Sequence, residues 1–460
     1  MTNLTDYDYM ATCKQLFLIL LIQCILLAES CDQDQHNIFD VIHFGAIGDG
    51  ANDDTEAFKH AWDAVCGSSV SSPTFVVPGG KTFVLQPLTF NGQCNSTTFT
   101  FQAIISLLPY QFNRVLHLLV RMAARIINGT IIAPSNPSEW KCNDKNCHQW
   151  ITFEHFDGLS IQGSGTINGQ GTNWWTLSCE DNEELCDKKA TKIKLRSTKS
   201  NCNVEFVQGF VIAHSNNVQI SELTFEDSPK VHISLERSTL INATRLTIQA
   251  PGDSPNTDGI HIQHSTNVSI DQSLIQTGDD CVSIGDGSSY IDISNINCGP
   301  GHGISIGSLG RNGHNESVEF VHVRDVSFNR STNGVRIKTW QGGHGHVRNI
   351  TFERITSHGA RRPIIIDQYY CPHDHCSNET SAVEIDNVAY SQIEGTTDRE
   401  TAVQLACSES TPCTNIFMKD INLRYEEDEE KTSSYCLNAQ GLRNGRVSPN
   451  VTCLQQDDNF

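Results

Sequence analysis

The stretch from Asn256 to Ser308 holds three blocks of one kind: Asn256-Thr-Asp-Gly-Ile260, Thr277-Gly-Asp-Asp-Cys-Val-Ser-Ile284 and Gly301-His-Gly-Ile-Ser-Ile-Gly-Ser308. Each sets polar or ionisable residues just ahead of a short β-branched run. Asp258 and Asp280 are 22 residues apart, and so are Asp280 and His302. A repeat of that length marks a solenoid, in which each turn of chain stacks on the one before. Parallel strands stack about 4.8 Å apart, so positions one period apart meet on one face. The carboxylates of Asp258, Asp279 and Asp280 and the imidazole of His302 are thereby expected to converge.

The same rhythm extends outward. Asn217-Val-Gln-Ile, Asn242-Ala-Thr-Arg-Leu, Asn267-Val-Ser-Ile, Tyr290-Ile-Asp-Ile, Ser317-Val-Glu-Phe, Val347-Arg-Asn-Ile and Asn415-Ile-Phe-Met read as versions of one strand, with steps of 25 residues from Asn217 to Asn242 and from Asn242 to Asn267. β-Branched residues alternating with Ser, Thr and Asn suit strands stacked around a narrow core. The architecture expected is an all-β, right-handed parallel β-helix. Near the N-terminus, Asp54 or Thr55 starts a short helix through about Cys66, with Ala57, Phe58, Ala61, Trp62 and Val65 on one face. Such a helix would cap the open end of the solenoid.

Two stretches break the style. Residues 103–126 are Leu-rich, without turn glycines or period-2 alternation. Their removal would join Thr100-Phe-Gln102 to Ile127-Asn-Gly-Thr-Ile131 as strand–turn–strand. They read as an insertion foreign to the solenoid, such as an unspliced intron carried into the chain; a genuine surface helix is the alternative. Residues 191–209, with Lys192, Lys194, Arg196, Lys199 and an isolated Cys202, are a weaker irregularity.

The chain has 460 residues, with 53 acidic and 32 basic side chains and a formal charge of −21. That balance offers nucleic acid no basic footprint. Eighteen cysteines, together with sequons at Asn95, Asn128, Asn242, Asn267, Asn315, Asn329, Asn349, Asn378 and Asn450, point to an oxidising, secretory compartment. Residues 1–30 read as a signal peptide, since the apolar run Leu16–Leu27 is short for a span and is followed by Ala28 and Ser30. Met10 makes a better initiator than Met1, because Asp6 and Asp8 do not belong in a basic leader. Residues 31–460 then form one secreted domain, with no membrane contact after cleavage. Close cysteine pairs, Cys281/Cys298, Cys371/Cys376, Cys407/Cys413 and Cys436/Cys453, are expected to be disulfides. Cys142 and Cys147 lack a second ligand pair at zinc spacing, which favours a disulfide there too.

Four motifs in order, Asn256-Thr-Asp258, Gly278-Asp-Asp280, Gly301-His-Gly303 and Arg336-Ile-Lys338, resemble those of the polygalacturonase family of glycoside hydrolases. The segments Phe39–Gly50, Ile131-Ile-Ala-Pro134 and Asp367-Gln-Tyr-Tyr-Cys371 are similar to its plant members. The resemblance implies a pectin-lyase-like solenoid that hydrolyses α-1,4-galacturonan in pectin by inversion, without metal or cofactor, as a monomer in the cell wall. It further implies Asp279 as general acid, Asp258 and Asp280 as the pair holding the attacking water, and His302 as a tuner of these carboxylates. Asn256, Arg336, Lys338 and Tyr370 would bind substrate. The chemistry agrees: glycoside hydrolysis needs an acid for the leaving oxygen and a base for water, and crowded carboxylates cannot all ionise easily. Arg336 and Lys338, at i and i+2 on a strand, share a face, suited to a uronate carboxylate or to balancing the aspartates. The rival readings are a pectate lyase on the same solenoid, using calcium and an arginine base, and a catalytically silent pectin-binding wall protein.

Overall fold

The computed structural model describes residues 38–70, 73–94, 99–104, 129–141, 148–176, 207–372, 376 and 379–457. The expected signal segment, Met10, most of 103–126, residues 191–206 of the second irregularity, and Cys142 and Cys147 lie outside the described residues.

Eleven parallel strands form one sheet in sequence order: β1 (Leu88–Asn91), β2 (Gln149–Glu154), β3 (Gln208–Ala213), β4 (Ile233–Glu236), β5 (Ile260–Gln263), β6 (Val282–Ile284), β7 (Ile304–Leu309), β8 (Asn333–Thr339), β9 (Arg362–Asp367), β10 (Thr401–Ala406) and β11 (Ser433–Leu437). The remaining strands stack in a second, equally parallel ladder. This is the parallel β-helix. The 22-residue period is real where it was read: Ile260 pairs with Val282, and Val282 with Ile304. Above and below, Ile233, Ile260, Val282, Ile304, Val335, Ile364 and Val403 form one continuous stack, all buried. Ile and Val at one rung position, repeated, stack their side chains along the core.

The outer ladder corrects one register. Asn242 pairs with Gln219 and Ser269, so Asn217 is matched by Leu240 and not by Asn242. Slipping a strand by two residues keeps the same face inward, so the alternation alone could not detect it. The column Asn217, Leu240, Asn267, Tyr290, Phe320, Asn349, Asn387 and Asn415 turns each rung with φ between 52° and 59°. Asn tolerates this left-handed region best among non-glycine residues, which explains its recurrence at the start of these strands. The rung Glu384–Thr397, absent from the sequence reading, belongs to the same series.

The helix α1 (Thr55–Gly67) buries all five expected residues. Phe58 and Trp62 pack against Phe75, Phe83, Phe90 and Phe156, and so close the N-terminal end of the core. Asp54 holds the N-cap position without capping. Its carboxylate instead accepts the amides of Ile47 (2.6 Å) and Gly48 (3.2 Å). The four expected disulfides are formed, and Cys66–Cys94, which ties α1 to the strand-end segment after β1, is a fifth.

The rungs around the anomalous stretch reveal its surplus. Pro78 pairs with Ile104, and Thr82 with Thr130. Gly79, Gly80 and Lys81 suffice to join Pro78 to Thr82, whereas residues 105–129 join Ile104 to Thr130. On the next rung, Gly163 and Thr166 need only Ser164 and Gly165 between them. Ala103 and Ile104, expected within the irregular stretch, are strand residues. Deleting 105–126 leaves Ile127-Asn-Gly129 as the turn, the same length as Gly79–Lys81. The deletion variant is expected to melt within a few degrees of the full chain and to keep its specific activity, with a higher soluble yield; thermal unfolding and turnover of the two proteins side by side check this.

Candidate active site

Strands β5 to β8 carry the site. Their outward row is His261, Ser283, Ser305 and Arg336, paired rung to rung. The acidic residues sit in the segments leading into these strands. Glycine is required there: Gly303 has φ +88°, and a Cβ on it would meet the Gly334 carbonyl oxygen at 2.2 Å.

Asp280 is buried and ion-paired twice. Arg336 Nη2 donates to its Oδ1 at 2.6 Å, and Lys338 Nζ to its Oδ2 at 2.9 Å. Ser305 completes the cradle, donating to Asp280 Oδ1 (2.7 Å) and accepting from Arg336 Nε (2.9 Å). Both expected cations thus grip an aspartate. Lys338 also lines the cleft, while Arg336 is not among the cleft-lining residues. Charge balance, the alternative role for this pair, is therefore present in the geometry.

Asp279 is held differently. Its Oδ1 lies 2.7 Å from His302 Nδ1 and accepts the Asp280 amide at 2.9 Å; its Oδ2 accepts from Asn256 Nδ2 at 3.3 Å. Burial favours the neutral acid, yet the His302 contact, the charge of Lys338 and the Asn256 bond outweigh it and hold Asp279 below the usual carboxylate range. Asp258 goes the other way. Burial, then repulsion from Asp279 and Asp280, pushes its carboxyl well above the usual range, against the bond donated by Ser283 (2.6 Å). Ser283 Oγ in turn lies 2.8 Å from Nδ1 of His261, whose burial lowers its pKa to about 4 and keeps it neutral. Of these two carboxyls, Asp258 therefore holds a proton the more readily.

The cleft, about 430 Å³, is lined among others by Asn256, Asp258, Asp279, Asp280, Lys338 and Tyr370. Tyr370 stands 5.3 Å from Lys338 Nζ and meets Trp340 edge to face at 5.4 Å. Arg311, overlooked in the sequence, continues this column: it stacks on Trp340 at 5.3 Å and lines the cleft. Oxygens of Asp279 and Asp280 and a ring nitrogen of His302 lie within 4.8 Å of one another, as metal ligands do. A cation there would compete with Arg336 and Lys338 for the Asp280 oxygens and with His302 for Asp279.

Two stability tests follow from these contacts. Asp280→Ala strands two nearly buried cations, and a loss of about 3–5 kcal/mol is expected, read by chemical denaturation at neutral pH. Asp258 has a folded pKa raised above its unfolded value, so its stabilising contribution is full below pH 3.8 and is lost as pH rises through the folded value. Asp258→Asn should therefore match the wild-type melting temperature in acid and exceed it increasingly as pH rises; melting curves across pH check the trend.

The sequence profile of glycosyl hydrolases family 28 matches residues 66–448. A probable polygalacturonase of Arabidopsis thaliana is 41% identical over 424 residues, covering 91% of this chain and 81% of its own. A polygalacturonase of Persea americana is 40% identical over 401 residues, covering 87% and 76%. Among solved structures, the polygalacturonase of Erwinia carotovora superposes with a TM-score of 0.62 at 22% identity, over 86% of this chain and 94% of that one. The endo-xylogalacturonan hydrolase of Aspergillus tubingensis gives 0.66 at 22% identity, over 91% and 97%. These two likenesses speak to the fold. With the profile and the plant relatives spanning most of its length, the chain belongs to glycosyl hydrolases family 28.

Proposed function

We propose that this glycoside hydrolase cleaves α-1,4-galacturonosyl linkages of pectin, with Asp279 as general acid and a water activated by Asp258 and Asp280, by single displacement with inversion. The observation that carries the reading is the meeting of Asp258, Asp279 and Asp280 with Lys338 and Tyr370 in one cleft. Lys338 supplies a cation for a substrate carboxylate, with Arg336 behind it and Asn256 and Tyr370 beside it. The reaction needs no metal, because Arg336 and Lys338 already neutralise Asp280. Five disulfides among the described residues and the sequons support an extracellular, cell-wall setting. The protein acts as a monomer. No helix among the described residues is long and apolar enough to cross a membrane.

An acid at Asp279 has to be protonated, against the contacts that hold its carboxyl below the usual range in the free site. A bound galacturonate supplies the reason: its carboxylate raises Asp279 by like-charge repulsion while the sugar excludes water. The basic limb of kcat, which reports the bound complex, is then expected at higher pH than that of kcat/KM, which reports the free enzyme. Removing His302 removes the strongest influence lowering Asp279, so His302→Gln should move the basic limb of kcat/KM upward. Asp279→Asn should lose turnover by roughly 10²–10⁴-fold while still binding polygalacturonate. Reducing-end release from polygalacturonate in the presence of a chelator tests the reading as a whole. Unsaturated products whose formation the chelator abolishes would turn it into a lyase, and binding without cleavage into a silent wall protein.

A further inference from the structure

Beyond the catalytic cleft, a second cavity of about 510 Å³ lies on the same sheet. Tyr370, just after β9, lines the first; Tyr369, its neighbour, lines the second. The first begins at Gln208 in β3, and the second reaches Tyr435 and Leu437 in β11. Together they follow the sheet from its third strand to its last, roughly 40 Å at the parallel spacing. A polymer lying across the aspartates and continuing toward the C-terminal rungs enters the second cavity.

The two cavities differ in charge chemistry. The catalytic cleft offers Lys230, Arg311 and Lys338 to an anionic sugar. The second cavity is lined by Gln341, Tyr369, Glu379, Thr380, Ser408, Glu409, Ser410, Tyr435 and Leu437, with no Lys, Arg or His among them. Neither Glu379 nor Glu409 joins an ion pair among the described residues. A uronate carboxylate placed there would face two carboxylates, with no cation among the described lining residues to offset them. The rest of the lining suits a neutral sugar. Tyr435 is 49% exposed and offers a ring face. Tyr369 is held in place, its hydroxyl accepting the Glu409 amide at 3.1 Å. Ser408 and Ser410 place hydroxyls 3.0 Å apart for sugar hydroxyls.

We infer that the pocket of Tyr369, Glu379, Glu409 and Tyr435 is a distal subsite that receives an uncharged pyranose of the substrate chain, such as a methyl-esterified galacturonate. This rests on the pectin-hydrolase reading and adds to it: cleavage is favoured where a charged run at the catalytic cleft is followed by a neutral residue.

The test compares three polymers at low ionic strength, where exposed charges act furthest: fully de-esterified polygalacturonate, the same polymer sparsely methyl-esterified, and the same polymer with a matching fraction of carboxyls reduced to galactose. In the double variant Glu379→Gln, Glu409→Gln, kcat/KM on the de-esterified polymer is expected to rise about threefold, with little change on the other two, and added salt should erase the difference. Tyr435→Ala, which truncates a half-exposed ring and opens no core, should lower kcat/KM on both neutralised polymers about fivefold and spare the de-esterified one. Equal effects on all three polymers, or none, overturn the subsite. A reduced polymer that behaves like the de-esterified one also overturns it, since loss of charge alone would then not be what is recognised. Wild-type protein that releases no reducing ends from polygalacturonate overturns the underlying function instead.

Discussion

Everything in this molecule follows from the parallel rung spacing. Strands stacked about 4.8 Å apart bring residues one turn apart into contact whatever their chemistry. In the interior this yields stacks such as Ile262, Ile284, Ile306 and Ile337, where each side chain buries its neighbour. In the segments that lead into these strands it forces acidic groups together. Like charges at that distance repel, and the fold answers with opposite charge from two rungs on: Arg336 and Lys338 of β8 reach back to Asp280.

The site is thus a set of carboxylates given different fates by different neighbours. Asp280 is matched by two cations, Asp279 by an imidazole and an amide, and Asp258 chiefly by hydroxyl and burial. That inequality separates the proton affinities of Asp258 and Asp279, which is what acid and base roles on one face demand. The serines do quiet work in it. Ser283 and Ser305 occupy equivalent positions on successive rungs, and each bridges an aspartate to a nitrogenous side chain.

Much of this was legible beforehand, and where it was not the reasons are physical. Asp258, Asp280 and His302 announce themselves because their interval equals one rung, and the interval carries over to the pairing of β5, β6 and β7. Ser283 and Ser305 share that interval, but serine is too common on solenoid strands to stand out. The partner of Arg336 was hidden because the step to β8 is longer: Ser305 pairs with Arg336, 31 residues on, after a loop of its own. The Asn217–Asn242–Asn267 spacing was misleading because equal steps were assumed, whereas the corner at Leu240 is filled by a residue with no asparagine signature. Cys66–Cys94 joins a helix to the wall it caps, a contact that no local spacing encodes.

The two ends of the stack are built unequally. At the N-terminal end, α1 seals the core with a cluster of buried aromatic rings. At the other, β11 is the last strand of its sheet and is only partly covered, with Cys436 tied to Cys453 nearby. A solenoid held by nearest-neighbour contacts frays from its ends. Fraying therefore begins at the C-terminal rungs, and β10 and β9 have to open before the strand that carries Lys338 is reached. Asp258, Asp279 and Asp280 lie in the middle of the stack, buffered on both sides. The chemistry is thereby given the stiffest part of the solenoid, and the far end of the groove is left free to breathe around whatever sugar the polymer presents.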